Sequence, residues 1–289
     1  MSFRLMSSIL RQPWSIERRY VESILPLVLN LLKGHPASFI ERTGNDLIEQ
    51  PFAIDPKTME RQPVFNNPGL VPNSVGVIPI NGPITKYNGE CEEPGMVQRT
   101  TWLMQMQKIK SIGSIVQLMD TPGGECRAAH GYCTQMKKAN KPILSYVDAM
   151  SASLGNWFTS SSDETYLSNE TCEMGSIGTM CTFLDFREYF EMNGVKWQDV
   201  YATDSTEKNK AYKDALDGDT SGIVAELDVI NKGFIQHIKS QRPATAATAN
   251  EWRHGKMFFA KDAVRIGLAD GIWSFDKVVS KAAWLAQRK

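Results

Sequence analysis

Ser153 stands among small neighbours, in Ser151-Ala-Ser153-Leu-Gly155, downstream of a glycine pair in Asp120-Thr-Pro-Gly-Gly124 and 55 residues before Lys208. A serine hydroxyl is a weak nucleophile at its own pKa and needs an adjacent base. A desolvated lysine can be that base, because burial disfavours its charged form. Attack on a carbonyl also builds an oxyanion that backbone N–H groups can hold, and glycine lets the backbone come close enough to do so. These residue types together are the parts of a Ser-Lys acyl-transfer site that works without a catalytic histidine. Each part alone has a plainer reading. Ser153 or Ser151 can cap a helix, Pro122-Gly123-Gly124 can be a simple turn, and Gly175-Ser-Ile-Gly178 can be a tight connection with positive φ. Lys208 lies in a polar stretch, Asp204-Ser-Thr-Glu-Lys-Asn-Lys210, where Lys210 and Lys213 compete for the same role.

The elements that must position these residues follow from pattern. Val75–Ile80 and Ile115–Met119 are short apolar runs that end in turn signals, at Asn81-Gly82-Pro83 and at the Pro-Gly-Gly turn. Such runs read as buried strands. Helices are expected over 96–111 and 125–139, a strand over Ile143–Val147, a helix opening near Ser153, and a strand over Glu164–Leu167. Strand–helix alternation with short turns predicts a largely parallel sheet flanked by helices. Ligands of such sheets collect at the carboxyl ends of the strands, where both the glycine pair and Ser153 fall. Further on, Ile223, Val224, Leu227, Ile230, Phe234 and Ile238 recur at helical spacing over 220–240. A short helix over 260–266 is stopped by Gly267, and Gly271-Ile-Trp-Ser-Phe reads as a final strand.

Residues 1–72 read as an N-terminal helical arm and linker, with a helix near 15–33 followed by the Pro- and Asn-rich segment 62–72. Residues 73–275 make the domain that carries the Ser-Lys parts, and 276–289 a C-terminal helix. The chain has 289 residues with 32 basic and 32 acidic side chains, a balance that argues against a nucleic-acid binder. Five cysteines, none in a CxxC pair and none at zinc-ligand spacing beside the four histidines, fit reduced thiols and a cytoplasmic setting. No metal or organic cofactor is called for. The apolar run 24–32 is too short to span a bilayer, and the first twenty residues lack the apolar core of a secretory signal.

The ordered set of motifs resembles the signal peptide peptidase A family of serine peptidases. The matching pieces are Asp120-Thr-Pro-Gly-Gly124, Lys141-Pro142, Ala152-Ser153-Leu-Gly-Asn-Trp157, Ser162-Asp-Glu-Thr-Tyr166 and Gly175-Ser-Ile-Gly178. Arg242, Gly255-Lys256 and Gly267-Leu-Ala-Asp270 resemble the family's closing segment. The resemblance implies a crotonase/Clp-protease-type fold, Ser153 as nucleophile, the amides near Gly123 and Gly124 as oxyanion hole, and Lys208, or Lys210, as base. It also implies a polypeptide substrate and a homo-oligomeric ring. Thr121 and Leu154 depart from the family's usual serine and smaller residue. Ser8, Pro13-Trp14-Ser-Ile16 and the segment after them resemble the start of phage head-maturation proteases, which implies processing of capsid or scaffold proteins in the host cytoplasm. The alternatives are a general peptide-degrading member, an acyl-thioester enzyme on the same fold, and an inactive assembly protein.

Overall fold

The computed structural model describes residues 14–16, 50–89, 93–182, 185, 187–196 and 198–288. In chain order the elements are β1 (Trp14–Ile16), β2 (Phe52–Ile54), β3 (Arg61–Pro63), β4 (Ser74–Asn81), α1 (Met96–Lys108), β5 (Ile112–Thr121) and β6 (Gly123–Glu125). They continue with α2 (Ala129–Lys137), β7 (Ile143–Ala152), α3 (Gly155–Ser160), β8 (Glu164–Leu167), β9 (Glu173–Gly175), α4 (Arg187–Met192), α5 (Lys210–Leu216) and α6 (Ser221–Gln241). Last come α7 (Ala249–Trp252), β10 (Met257–Phe259), α8 (Ala260–Arg265), β11 (Gly271–Ile272) and α9 (Phe275–Ala286).

The main sheet runs β10-β9-β7-β5-β4-β2-β3, with β8 on β7 and β11 on β8. Pairings among β4, β5, β7, β8 and β9 are parallel, and so is β11 on β8; the antiparallel pairs are β2–β3, β2–β4 and β9–β10 at the margins. The central strands are buried on both faces, which explains why Val75–Ile80 and Ile115–Met119 read as continuous apolar runs. β7 changes partner halfway along. Leu144–Val147 pair with β8, whereas Met150–Ala152 pair with β9. The sheet therefore forks at the carboxyl end of β7, directly before Ser153.

One face of the sheet is covered by α1, α2, α3 and the second half of α6. Leu103, Met106, Tyr132, Phe158, Phe234 and Trp252 belong to this core. α1 buries Met96, Trp102, Leu103 and Met106 at helical spacing, and Ile109 then turns extended. Its last carbonyls are capped from outside: Lys141 Nζ donates to the carbonyls of Met106 (2.8 Å) and Ile109 (2.6 Å). Burial pushes the Lys141 pKa down to about 8. The other face is covered by α9, whose Val278, Val279, Ala282 and Ala283 meet Val75, Val77, Val116 and Leu144. Burying two valines contributes roughly 3 kcal/mol or more.

Three expectations need amendment. Ser15 and Ile16, assigned to the start of a helix, lie in β1, and residues 17–33 are outside the described residues. Residues 52–54 and 61–63, grouped by sequence with the arm and linker, add two strands to the edge of the main sheet. The apolar stripe of α6 is buried only at Phe234 and Ile238, while Val224 and Val229 are exposed. Pattern alone marks a face as apolar but not what covers it.

Candidate active site

Ser153 follows β7 directly and is 1% exposed. Its φ of +49° lies in the left-handed region, which costs an L-residue about 1–2 kcal/mol. The turn is held from three sides. The Ser153 N–H donates to the Gly175 carbonyl at 2.7 Å, and the Ser153 carbonyl accepts the Asn156 N–H at 2.9 Å. The third tie is the Asn156 side chain. Its Nδ2 lies 2.7 Å from the Gly175 carbonyl, 3.0 Å from that of Ser151 and 3.2 Å from that of Ser153. Three carbonyls around one atom require the amide to present its nitrogen there. The two hydrogens are shared among the three acceptors.

This geometry differs from a capped helix start. Leu154 occupies the position before α3 and offers no side-chain cap. Ser151 Oγ is buried without a hydrogen-bond partner among the described residues, so it caps nothing either. The strained turn instead directs Ser153 Oγ toward the Gly178 carbonyl, 3.5 Å away. Gly175 carries φ +132°, and a Cβ there would stand 2.2 Å from the Lys256 carbonyl. Ser176 has φ +52°, and its N–H donates to the same Lys256 carbonyl at 2.8 Å. The Gly175-Ser-Ile-Gly178 stretch is thus the wall facing Ser153, and the backbone at Gly255-Lys256 braces it from behind.

The glycine pair lies alongside. Thr121, at the end of β5, pairs with Ser151 of β7, which places Gly123 and Gly124 next to the Ser153 turn. Gly124 is needed for close approach, since a Cβ would fall 2.0 Å from the Ile84 carbonyl. The two amides are not equivalent. The Gly123 N–H donates to Thr121 Oγ1 at 3.1 Å, and that hydroxyl donates to the Gly82 carbonyl at 2.7 Å. Thr121 therefore engages one of the two amides expected to face an oxyanion. Asp120 is exposed at the same end of the sheet, and its carboxyl pKa is raised by partial desolvation and by Asp148.

The lysines have different surroundings from the buried serine. Lys208 is exposed, beside a cleft of about 350 Å³ lined by Gln198, Val200, Tyr201 and Asn209. Among the described residues its Nζ has no hydrogen bond or ion pair, and the hydrogen bond of Ser153 Oγ goes to the Gly178 carbonyl. Lys210 is paired with Asp214 at 2.8 Å, and that carboxylate raises its pKa. Lys141, with its lowered pKa, sits two residues before the start of β7, a ten-residue strand of about 33 Å that ends next to Ser153. Sequence reasoning missed Asn156. The only hint was an amide side chain within an otherwise small and apolar segment.

Three comparisons bear on this geometry. A family model described as Peptidase family S49 matches residues 135–289, a span that contains Ser153, Asn156 and Lys208. Protease 4 of Haemophilus influenzae is 24% identical over 222 residues, covering 76% of this chain and 36% of that protein. A putative signal peptide peptidase SppA of Enterococcus faecium is 26% identical over 267 residues, covering 86% of this chain and 73% of the relative. The chain spans little more than a third of the length of the Protease 4 relatives it matches. Among solved structures, a mutant of a membrane-bound stomatin-specific protease with a substrate peptide is 17% identical, covers 68% of this chain and 74% of its own, and has a TM-score of 0.41.

Proposed function

Because the chain belongs to peptidase family S49, a family of Ser-Lys serine peptidases, we propose that it hydrolyses peptide bonds with Ser153 as nucleophile and Lys208 as base. The observation that carries this reading is the buried, left-handed Ser153 turn, a strained conformation held by a dedicated hydrogen-bond network. In the proposed reaction, neutral Lys208 takes the hydroxyl proton as Ser153 Oγ attacks the substrate carbonyl. The Gly124 N–H holds the oxyanion, the lysine returns the proton to the leaving amine, and water then hydrolyses the ester. The fold is read as crotonase/Clp-protease-type, supported by the order of parallel strand, glycine pair, helix and serine turn.

A base of this kind needs desolvation, and Lys208 lacks it in the isolated chain. Assembly of copies, expected from the family resemblance, would supply it by covering the exposed Met192, Val200, Tyr212, Val224 and Val229. For the substrate, the relatives favour a general peptide-degrading role over capsid processing. The phage reading rests on Ser8, Pro13–Ile16 and the segment after them.

The test is co-expression with intact-mass analysis, alongside purified enzyme on unstructured peptides. Ser153→Ala and Lys208→Met should each lower kcat by several orders of magnitude with the fold intact, while Lys210→Met stays near wild type. Cleavage by Ser153→Ala at the wild-type rate refutes the assignment. Cleavage confined to a co-expressed capsid or scaffold protein would restore the phage reading.

A further inference from the structure

The edge of β6 that presents Gly124 is filled by the chain itself. β1 pairs antiparallel with β6 in the register Trp14–Glu125, Ser15–Gly124 and Ile16–Gly123. The opposite edge of β6 belongs to Ile84, which donates to the Gly123 carbonyl at 2.8 Å and accepts the Glu125 N–H at 2.9 Å. Peptide groups alternate between the two edges of a strand. The N–H and C=O of Gly124 therefore face β1, with Ser15 opposite. Since Thr121 Oγ1 takes the Gly123 N–H, Gly124 is the glycine amide directed at this edge. The ribbon of β1 and β6 is a two-stranded sheet separate from the main one, with three residues on each side. Isolated ribbons of that size are marginal in water, so the occupant can leave.

An extended chain adds to an open strand edge through its main chain, whatever its sequence. We infer that Trp14–Ile16 is a built-in competitor, an extended segment occupying the edge of β6 where a polypeptide substrate must lay its own backbone. The inference rests on the peptidase reading above. The resting enzyme is closed by its own arm and opens to chains that displace it.

The test is a binding measurement made in full-length Ser153→Ala protein, with a fluorescein-labelled peptide of residues 11–19 as probe. Proline at position 15 removes the N–H that faces Gly124, whereas proline at position 16 removes one that faces away. Each net backbone hydrogen bond is worth about a factor of several in an equilibrium constant. Ser15→Pro should therefore tighten probe binding by about tenfold, and Ile16→Pro should leave it near the parent value. Equal affinity in parent and Ser15→Pro, or equal gains in both proline variants, overturns the inference. Hydrogen exchange of segment 122–126 provides a second readout that needs no variant. Exchange of the Gly124 amide as fast in the parent as in a free loop counts against β1; slow exchange of that amide in the parent supports it. Because neither readout needs hydrolysis, absent hydrolysis by the wild-type chain overturns the peptidase reading alone.

Discussion

Asn156 offers the sharpest perturbation of the Ser153 turn. In Asn156→Ala the carbonyls of Gly175, Ser151 and Ser153 lose a donor now at 2.7, 3.0 and 3.2 Å. Two of these carbonyls keep a backbone partner, because Ser153 N–H still reaches Gly175 and Asn156 N–H still reaches Ser153. The loss is therefore that of net hydrogen bonds rather than of wholly orphaned groups, about 2–3 kcal/mol in all. That matches or exceeds the roughly 1–2 kcal/mol stored in the left-handed serine, so the turn should relax. For a chain of this size the melting temperature should fall by roughly 3–5 °C. A nucleophile displaced by about 1 Å should lose about a hundredfold in kcat with little change in KM. Asn156→Asp separates geometry from volume. Its carboxylate would face three carbonyls, so its folded pKa should rise above the unfolded value. The protonated form can still donate one bond, so stability should be best at acid pH and fall as pH rises through the folded pKa. Thermal melts by near-UV circular dichroism from pH 4 to 8, with single-turnover peptide cleavage, check both arms. Wild-type melting and wild-type kcat in Asn156→Ala and Asn156→Asp would refute the reasoning.

Three further predictions follow from the same geometry. Ser153→Gly should melt above Ser153→Ala by an amount equivalent to about 1 kcal/mol, because glycine adopts φ +49° without strain; a lower melting temperature for the glycine variant would mean that the turn is not strained. Gly124→Ala places a Cβ 2.0 Å from the Ile84 carbonyl, and should cost about 1–3 kcal/mol in chemical denaturation along with most peptidase activity. His237, packed on Trp157 and hydrogen-bonded to Ser161 Oγ at 2.9 Å, has its pKa lowered by burial to about 4. The unfolded chain therefore binds the extra proton as pH falls below about 6.5, so stability should drop between about pH 6.5 and 4; His237→Gln should flatten that part of the pH–stability curve, and an unchanged curve would exclude His237 as its source.

The central architecture was legible because buried parallel strands leave an unmistakable trace. Val75–Ile80, Ile115–Met119 and Ile143–Val147 are apolar on both faces, and each ends in small or turn-forming residues. α6 announced itself by spacing. The edge strands β2 and β3 did not, because three-residue strands with polar neighbours carry too little periodicity to separate from a loop. The site was legible in its types but not in its bonds. Sequence order put Ser153 beside a glycine pair, yet nothing in it said that Thr121 takes the Gly123 amide or that Asn156 binds three carbonyls. Those depend on which backbone groups meet across strands far apart in the chain. Lys208 marks the opposite limit, since its sequence distance from Ser153 fits a pair while the lysine is exposed and the serine buried.

The two apolar layers on either side of the sheet have unequal supports. The layer around Leu103, Tyr132 and Trp252 is closed by several helices, whereas the face around Val75, Val77, Val116 and Leu144 depends on α9. Asn73 ties its side-chain amide to the Ala283 carbonyl across 210 residues of sequence. α9 is accordingly the helix that keeps this apolar face out of water. If it lifts, the serine turn on the far rim keeps its own network, while the uncovered strands become a surface to which other chains stick. Under heat or crowding, solubility should therefore fail at the C-terminal helix before catalysis fails at the serine.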